Sequence, residues 1–395
     1  MILQPDPKLH LTYCLNIHPG ESWAENFTAI REKATAVKRL VAPNAEFGLG
    51  LRLAHQAATE LSGSAALRGE AGSFFAEQQL YPFSINGFPY GRFHAGPVKE
   101  NVYAPDWRTE ERVEYTRQLA DLLAGWLPGG QDGSISTVPG SFKTWIKSDD
   151  DRRRMAVNLA SVVVHLAQLE ERTGREIHLG LEPEPDCFLE TTAETLSFFQ
   201  DTLFTIGAAE VTRLLGRSGE ALVRRHLGVC FDTCHVALQY EDLAQSFAAI
   251  REAGIRISKV QLSAALRTAS NAESWSALRR FAEPVYLHQV KGRAKDGTRY
   301  ASTDLAPALD ALPQLPPLEE LRVHFHVPLF FEGAGALHTT ANALTPEFFA
   351  ELRKGTSPHL EIETYTFDVL PPDIHPGDVV RSIAREYEWV LGKMG

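Results

Sequence analysis

Cysteine is scarce in this sequence, and its few copies are poorly placed for a disulfide framework. Four cysteines are spread over 395 residues, and no two of them have CxxC spacing. Disulfide-stabilised small domains and all-cysteine zinc sites both need cysteines in recognisable pairs. The sequence therefore argues against both classes.

Long apolar runs are also missing. No stretch approaches the 18 apolar residues that suggest a membrane-spanning helix, and the first ten residues, MILQPDPKLH, lack the apolar core of a secretory signal. These absences predict no stable membrane insertion and a cytoplasmic location.

Positive charge is in deficit. The 39 Lys and Arg residues face 50 Asp and Glu residues, which gives a net charge of −11 with histidine neutral. Nucleic-acid binding relies on Lys and Arg that neutralise phosphates, so no nucleic-acid partner is expected. No GxGxxG motif follows the first predicted strand, which removes the usual dinucleotide-binding signal. A small metabolite is the partner that this balance leaves open.

Short apolar segments recur along the chain, as expected for parallel strands that are buried on both faces. The predicted strands are Leu11–Asn16, Phe47–Leu53, Pro82–Asn86, Ser134–Val138, Ile177–Glu182, Gly228–Asp232, Ile257–Leu262, Leu321–Val327 and Leu360–Thr364. Amphipathic helices are predicted between them at Ala24–Leu40, Val113–Leu127, Met155–Arg172, Thr192–Leu203, Tyr240–Ala253 and Thr345–Lys354.

This alternation predicts an α/β protein of the (β/α)8 TIM-barrel class. Nine strands are one more than a barrel needs, so we expect an insertion late in the chain. The sequence does not decide which late segment is inserted. We predict a single TIM-barrel domain over residues 1–395, with the insertion within residues 265–320.

The predicted strands end in polar residues that can carry chemistry. In a barrel, all C-terminal strand ends meet at one mouth, where carboxylates and imidazoles would form an oxygen and nitrogen site for Mn²⁺, Mg²⁺, Co²⁺ or Zn²⁺. Plainer roles are open, since Asp232 could simply cap a helix and Glu182 could form a buried ion pair. The candidates are His18, Asn86, Glu182, Glu184, Asp232, His235, His288, His324, His326 and Glu363.

Four motifs, LGLEPEP, FDTCH, HFHVP and LEIETYT, together resemble the xylose-isomerase-like barrel superfamily of sugar epimerases, sugar isomerases, inosose dehydratases and endonuclease IV. The resemblance implies a divalent metal bound by Glu182, Asp232, His326 and Glu363. It implies that His235, three residues after the aspartate, binds substrate. In an isomerase or epimerase, one or both of Glu182 and Glu363 would also move the proton as acid and base. His18, Asn86, Glu184, His288 and His324 are further candidates for substrate binding.

The spacing departs from that family in one respect. Asp232 and His326 are separated by 94 positions, far more than one strand–helix unit, and Gln261 in KVQLS stands where the family has its third ligand. Either Gln261 replaces the histidine, or an insertion separates Asp232 from a genuine ligand at His326. Glu184 could likewise take the place of Glu182.

Longer motifs along nearly the whole chain, among them LTYCLNIHPGESW, SINGFPYG and CFDTCHVALQYED, resemble the metabolite-traffic family called EboE. That resemblance implies a role in secondary-metabolite precursor trafficking and a functional link to a UbiA-type prenyltransferase. Three functions follow as hypotheses. They are a metal-dependent isomerase or epimerase acting on a small polyhydroxylated or keto metabolite, a hydrolase with two or more metals, and a non-catalytic protein that hands on a metabolite.

Overall fold

A computed structural model describes residues 1–94, 96–372, 375 and 377–395. The strands, numbered in chain order, are β1 (Ile2–Pro5), β2 (Lys8–Tyr13), β3 (Phe47–Arg52), β4 (Leu80–Asn86), β5 (Gly133–Thr137), β6 (Ile177–Leu181), β7 (Leu227–Asp232), β8 (Arg256–Leu262), β9 (Ala265–Ala269), β10 (Val290–Arg293), β11 (Arg299–Ser302), β12 (Glu320–His326), β13 (Leu337–Thr339) and β14 (His359–Ile362).

The α-helices are α1 (Trp23–Ala29), α2 (Thr35–Val41), α3 (His55–Gly63), α4 (Ala65–Glu77), α5 (Glu110–Trp126), α6 (Asp149–Thr173), α7 (Thr192–Phe198), α8 (Ala208–Leu215), α9 (Gly219–His226), α10 (Thr233–Leu238), α11 (Leu243–Glu252), α12 (Ala272–Leu278), α13 (Leu305–Ala311), α14 (Pro346–Arg353) and α15 (Val379–Met394). A π-helical segment at 30–34 joins α1 to α2, and another at 199–207 joins α7 to α8. In the described part of the chain, no helix is both long and apolar enough to cross a membrane.

Eight parallel strands form the barrel. They are hydrogen-bonded in the order β2-β14-β8-β7-β6-β5-β4-β3, and a parallel bridge between Cys14 and Gly50 brings β3 back beside β2. Nearly every residue of these strands is buried, because helices cover the outer face and side chains fill the interior. The predicted α/β barrel is confirmed. Eight of the nine predicted strands belong to it.

The ninth predicted strand, Leu321–Val327, lies elsewhere. It corresponds to β12, which is part of a five-stranded antiparallel sheet in the order β11-β10-β12-β9-β13. This second sheet begins three residues after β8 and extends to Thr339, whereas the insertion was predicted to end by residue 320. The late insertion is therefore present, and it separates barrel strand β8 from helix α14 and the last barrel strand, β14.

Candidate metal centre and active site

Three carboxylates meet at the C-terminal ends of the barrel strands. Asp232 is the last residue of β7, Glu182 follows β6, and Glu363 follows β14. One oxygen of each lies within 4.8 Å of one oxygen of the other two, and all three side chains are buried. Barrel closure thus gathers residues that are 50 to 181 positions apart in the chain.

His326 reaches the same place from the second sheet. Its ligand nitrogen lies within 4.8 Å of ligand atoms of Asp232 and His235. The Nδ1 atom of His326 is 3.0 Å from the backbone oxygen of Glu363, which can only accept a hydrogen bond. Nδ1 therefore carries the proton, and Nε2 keeps its lone pair. Fixing the tautomer through the other ring nitrogen is typical of histidines that bind metals.

Several buried lone pairs at this place lack a partner. Glu182 Oε2, Asp232 Oδ2 and His326 Nε2 make no hydrogen bond to any described residue. Buried polar atoms normally have partners, because desolvation without one costs about 1–3 kcal/mol. Three carboxylates and one imidazole form an oxygen-rich donor set that fits Mn²⁺, Mg²⁺, Co²⁺ or Zn²⁺. These residues could therefore hold a divalent cation.

Gln261 occupies the barrel strand that the family's third ligand would use. It lies on β8, its Oε1 accepts a hydrogen bond from Cys230 Sγ at 3.0 Å, and its Nε2 has no partner among the described residues. An amide NH₂ group carries no lone pair for a metal. Both features foreseen in the sequence are thus present: a glutamine on the barrel strand, and an insertion that delivers His326. That His326 is the third ligand stays a prediction.

The surroundings of the site shift the pKa values of its carboxyl groups in opposite directions. Burial, followed by the neighbouring charges, raises the pKa of Glu182 and of Glu363 well above the usual range. Burial also opposes ionisation of Asp232, but His235, His326 and a 2.7 Å hydrogen bond from Ser263 Oγ bring its pKa below the usual value. Without a metal, the two glutamates therefore hold a proton more readily than Asp232 does.

A buried ion pair lies beneath the carboxylates. Lys259 Nζ is 2.6 Å from Glu361 Oε1, and both side chains are at most 1% exposed. Lys259 lies two residues before Gln261 on β8, and Glu361 lies two residues before Glu363, so both side chains point into the barrel. The ammonium charge lowers the pKa of Glu182 and of Glu363 and so partly offsets their burial.

A second group of donors lies beside the first. His235 Nδ1 is 2.9 Å from the backbone oxygen of Pro183, and His324 Nδ1 is 2.7 Å from Gln289 Oε1. The Gln289 amide is oriented by its Nε2, which donates to the Pro185 carbonyl at 3.2 Å. Both Nδ1 atoms therefore carry protons, and the two Nε2 lone pairs face each other at 3.1 Å.

Glu184 completes this second group, since its ligand oxygen lies within 4.8 Å of those imidazole nitrogens. It accepts a hydrogen bond of 2.9 Å from Tyr103. Burial raises the pKa of Glu184 to about 8. A proton or a cation is needed between the facing lone pairs of His235 and His324, because they would otherwise repel each other.

A cavity of about 520 Å³, including its open mouth, leads to both groups of donors. Asn16 and Asn86 form part of its wall and donate to Glu363 Oε1 at 2.8 and 3.0 Å. Aromatic rings form much of the remaining wall, namely those of Phe88, Phe93, Tyr103, Tyr286 and Tyr365. Of the predicted site residues, the cavity lining includes Asn86, Glu182, Glu184, His235, His324 and Glu363.

Four candidates are outside the described cavity lining: Asp232 and His326, which belong to the metal-ligand groups, and His18 and His288. His18 accepts or donates a 2.9 Å hydrogen bond with Tyr13 and lines a surface groove beside α1. His288 is buried below β12, where its Nδ1 donates to the His324 carbonyl at 2.8 Å and its Nε2 contacts Glu283 at 2.7 Å. His288 therefore supports the strand that carries His324, and neither histidine is part of the described cavity lining. That they bind substrate stays a prediction.

Some residues of the site had weak signals in the sequence. Asn16 and His18 both follow β2, in and just after a short 3-10 turn, but histidine drew more attention as a ligand type. Ser263 follows β8 and donates to Asp232, a role that the polar end of KVQLS could have suggested. Tyr103 ends a short 3-10 helix and Gln289 immediately precedes β10, so neither belongs to a segment long enough for periodicity to mark it.

Comparisons with known proteins agree on the fold. No family model matches the chain, and no curated protein matches its sequence. A magnesium-bound xylose isomerase-like TIM barrel protein from Mycobacterium smegmatis aligns with a TM-score of 0.52 and 11% identity, over 98% of this chain and 96% of that one.

Two other solved structures align less well. The probable 3-DHS dehydratase AsbF of Bacillus anthracis has a TM-score of 0.49 and 15% identity, over 97% of this chain and 98% of that one. A zinc-bound IolI protein has a TM-score of 0.48 and 10% identity, over 98% of each chain. At these identities the likeness concerns the fold alone, and this chain has the fold of the xylose isomerase-like TIM barrels.

Proposed function

We propose that this protein is a metal-dependent isomerase or epimerase that acts on a small polyhydroxylated or keto metabolite. The observation that carries the proposal is the buried group of Glu182, Asp232 and Glu363, with His326 beside it and lone pairs left without partners. A divalent cation held there would polarise a carbonyl and neutralise negative charge that develops on the substrate oxygens. A solved structure with the same fold is in complex with magnesium.

The two glutamates are suited to proton transfer. Burial and the neighbouring charges raise the pKa of both carboxyl groups above the usual range, whereas the pKa of Asp232 is lowered. General acid–base catalysis works best when the pKa of the group is near the working pH. Glu182 and Glu363 lie on opposite sides of Asp232 in the barrel order, so one can remove a proton from a substrate carbon while the other returns it. Asn16 and Asn86 orient the Glu363 carboxylate.

The cavity wall favours an uncharged substrate. Among the described lining residues the cation is Lys99, and its ammonium already contacts Asp304 at 2.6 Å and the Tyr286 carbonyl at 2.7 Å. A phosphorylated substrate would need free Lys or Arg donors, or a helix N-terminus. Tyr103, Tyr286 and Tyr365 supply hydroxyl groups and flat faces, which suit a free sugar, a cyclitol or a ring-bearing keto compound.

Solvent-hydrogen exchange tests the proposal. The metal-loaded protein is incubated in D₂O with free sugars, cyclitols and uncharged ring-bearing keto compounds, and carbon-bound deuterium is measured by NMR. We expect incorporation into at least one compound, and a rate lower by about 10²–10⁴-fold in Glu182→Gln and Glu363→Gln. Glu100→Gln, an exposed carboxylate beside the cavity, is the matched control and should retain the full rate. Bound metal without any deuterium incorporation across the panel would contradict the assignment.

The facing histidines favour a second candidate, a hydrolase with two metals. His235 Nε2 and His324 Nε2 present lone pairs to each other at 3.1 Å, and Glu184 lies beside them. Because both Nδ1 atoms are held by hydrogen-bond acceptors, a cation bound between the two Nε2 atoms would remove the repulsion of their lone pairs. This candidate would be favoured over the isomerase if the protein bound two ions at the cavity, the His324→Gln variant bound one, and the unmodified protein turned over phosphoester or amide model substrates.

A role in metabolite traffic, linked to a UbiA-type prenyltransferase, rests on the sequence motifs alone. A hand-off protein needs the cavity but not the acid–base pair. In a host that carries the pathway, Glu182→Gln would then preserve product formation, whereas a catalytic role requires that the product be lost. Comparing pathway output with the D₂O exchange rate of the same variant separates the two functions.

A further inference from the structure

A second cluster of metal-ligand residues lies at the opposite end of the barrel from the cavity. Asp132 comes immediately before β5, His178 is the second residue of β6, and His359 is the first residue of β14. All three positions are at the N-terminal ends of barrel strands. We refer to Asp132, His178 and His359 as the lower cluster.

The lower cluster has the spacing of a metal site. One ligand atom of each residue lies within 4.8 Å of those of the other two. His178 Nε2 is 3.1 Å from Asp132 Oδ2, and His359 Nε2 is 3.4 Å from Asp132 Oδ1. Ligands around a tetrahedral zinc at about 2.0–2.1 Å from the ion are about 3.3 Å apart. The two measured separations are close to that value.

His359 supplies independent evidence for a ligand. Its side chain is 1% exposed, and neither Nδ1 nor Nε2 makes a hydrogen bond to a described residue. Nε2 has only the long 3.4 Å contact with Asp132 Oδ1, and Nδ1 has no hydrogen-bond partner among the described residues. Burying imidazole nitrogens in this way is costly, and a native structure rarely retains such a group without a reason. Because Nε2 lies near Asp132 Oδ1, it points towards the centre of the lower cluster.

His178 is prepared for the same role. Its Nδ1 is 2.6 Å from Ser258 Oγ, and that hydroxyl is 3.5 Å from the His178 carbonyl, to which it can donate. Ser258 Oγ can then accept a hydrogen bond from protonated Nδ1, so that Nε2 carries the free lone pair. An outer hydrogen bond of this kind fixes the tautomer of metal-binding histidines.

The lower cluster can be reached from solvent on the side of Asp132. The side chain of Asp132 is 26% exposed, whereas those of both histidines are buried, so an ion can approach through Asp132. Arg256 Nη2 holds Asp132 Oδ2 at 2.7 Å and also contacts Glu176. This contact leaves Oδ1, the oxygen nearer to His359, available for coordination. An anion is disfavoured because the Asp132 carboxylate is at the centre of the cluster.

We propose that Asp132, His178 and His359 bind a transition-metal dication of the zinc or cobalt class, separate from the centre at the cavity. Two imidazoles and one carboxylate suit such ions better than Mg²⁺ or Ca²⁺, which prefer all-oxygen ligands. The ion would tie together the N-terminal ends of β5, β6 and β14. This inference does not depend on the proposed enzymatic function.

Metal counting on the full-length protein tests the site. Zinc is added, excess is removed by dialysis against a weak chelator, and bound zinc per chain is measured by mass spectrometry. We expect His359→Gln and Asp132→Asn each to lose one equivalent relative to the unmodified protein. They should still lose one in the background of Asp232→Asn, which disables the cavity centre. His226→Gln, a buried histidine outside the cluster, is the matched control and should lose none.

Crystals soaked in zinc give a second readout that needs no variant. An anomalous peak within bonding distance of His359 Nε2 supports the site, even if His359→Gln fails to fold. Unchanged zinc content in Asp132→Asn, together with no anomalous peak at the lower cluster, would overturn the proposal.

Discussion

At the scale of single residues, Glu386 shows how burial outside the active site couples stability to pH. Its side chain lies in α15 and is buried, and its Oε1 accepts hydrogen bonds from Thr364 Oγ1 at 2.7 Å and from the Leu329 amide at 3.1 Å. Burial outweighs these hydrogen bonds and raises the pKa of Glu386 to about 7, from 4.5. The folded protein therefore holds this proton in a pH range where the unfolded chain has released it.

We expect this group to make the protein less stable as pH rises from about 4.5 to about 7. Below that window both states are protonated. Above it the folded state must ionise a buried carboxyl, so the contribution to the free energy of unfolding falls by about 3 kcal/mol. Chemical denaturation at several pH values should show that Glu386→Gln removes this slope. Glu388→Gln, exposed on the same helix, should keep it, and parallel pH profiles for all three proteins would contradict the prediction.

The residue scale is also where sequence reasoning stopped short. Carboxylates at the ends of apolar strands pointed to Glu182, Asp232 and Glu363, because parallel strands must converge at one end of a barrel. The proton positions on His235, His324 and His326 depend on carbonyl groups from distant loops and strands, which no local pattern reveals. His18 drew attention for its residue type, but the neighbouring Asn16 is the one that contacts Glu363.

At the scale of elements, the second sheet determines how two histidines reach the barrel mouth. Strand β12 carries His324 and His326, and α10 carries His235. Arg322 on β12 connects the two elements. Its guanidinium donates to the Ala237 carbonyl at the end of α10 and stacks on the Tyr240 ring at 4.0 Å from the centroid. The position of β12 relative to α10 therefore depends on this side chain.

We predict that Arg322→Ala weakens divalent-cation binding at the cavity by about 10-fold, as is typical when a group that orients metal ligands is lost. The expected cause is a shift of β12, because Arg322 lies outside the donor set. Calorimetric titration with Mn²⁺ measures the affinity. Arg299→Ala is the matched control, since Arg299 also stacks on Tyr240 at 4.3 Å but belongs to the outer strand β11. Equal affinities for both variants would rule out this role for Arg322.

The elements also show where periodicity misleads. Leu321–Val327 has the apolar pattern of a buried strand, and it is one, but it pairs in an antiparallel sheet instead of the barrel. Burial produces the same sequence pattern in both sheets, so the pattern cannot assign a strand to one of them. The long separation between Asp232 and His326 was the better guide, because it required additional structure between two residues of one site.

At the scale of the whole molecule, the barrel could be predicted because eight strand–helix repeats and their buried strands leave few other closed arrangements. Closure then creates an electrostatic problem. It brings three carboxylates within 4.8 Å of one another in a buried place, with the Lys259–Glu361 pair below them as partial compensation. A cation at the mouth would relieve this repulsion in the folded state but not in the unfolded chain.

Thermal stability should therefore depend on divalent metal. An ion present at 100 times its dissociation constant stabilises the folded state by about 2.7 kcal/mol. For 395 residues, the unfolding entropy is about 0.8 kcal/mol/K, so the melting temperature should rise by about 3 °C on adding Mn²⁺ and fall again with chelator. The double variant Asp232→Asn with Glu363→Gln removes two carboxylates of the mouth and should melt at the same temperature with or without Mn²⁺. A shift that persists in this variant would place the stabilising ion elsewhere. A further loss of the shift on adding Asp132→Asn would then locate that ion at the lower cluster.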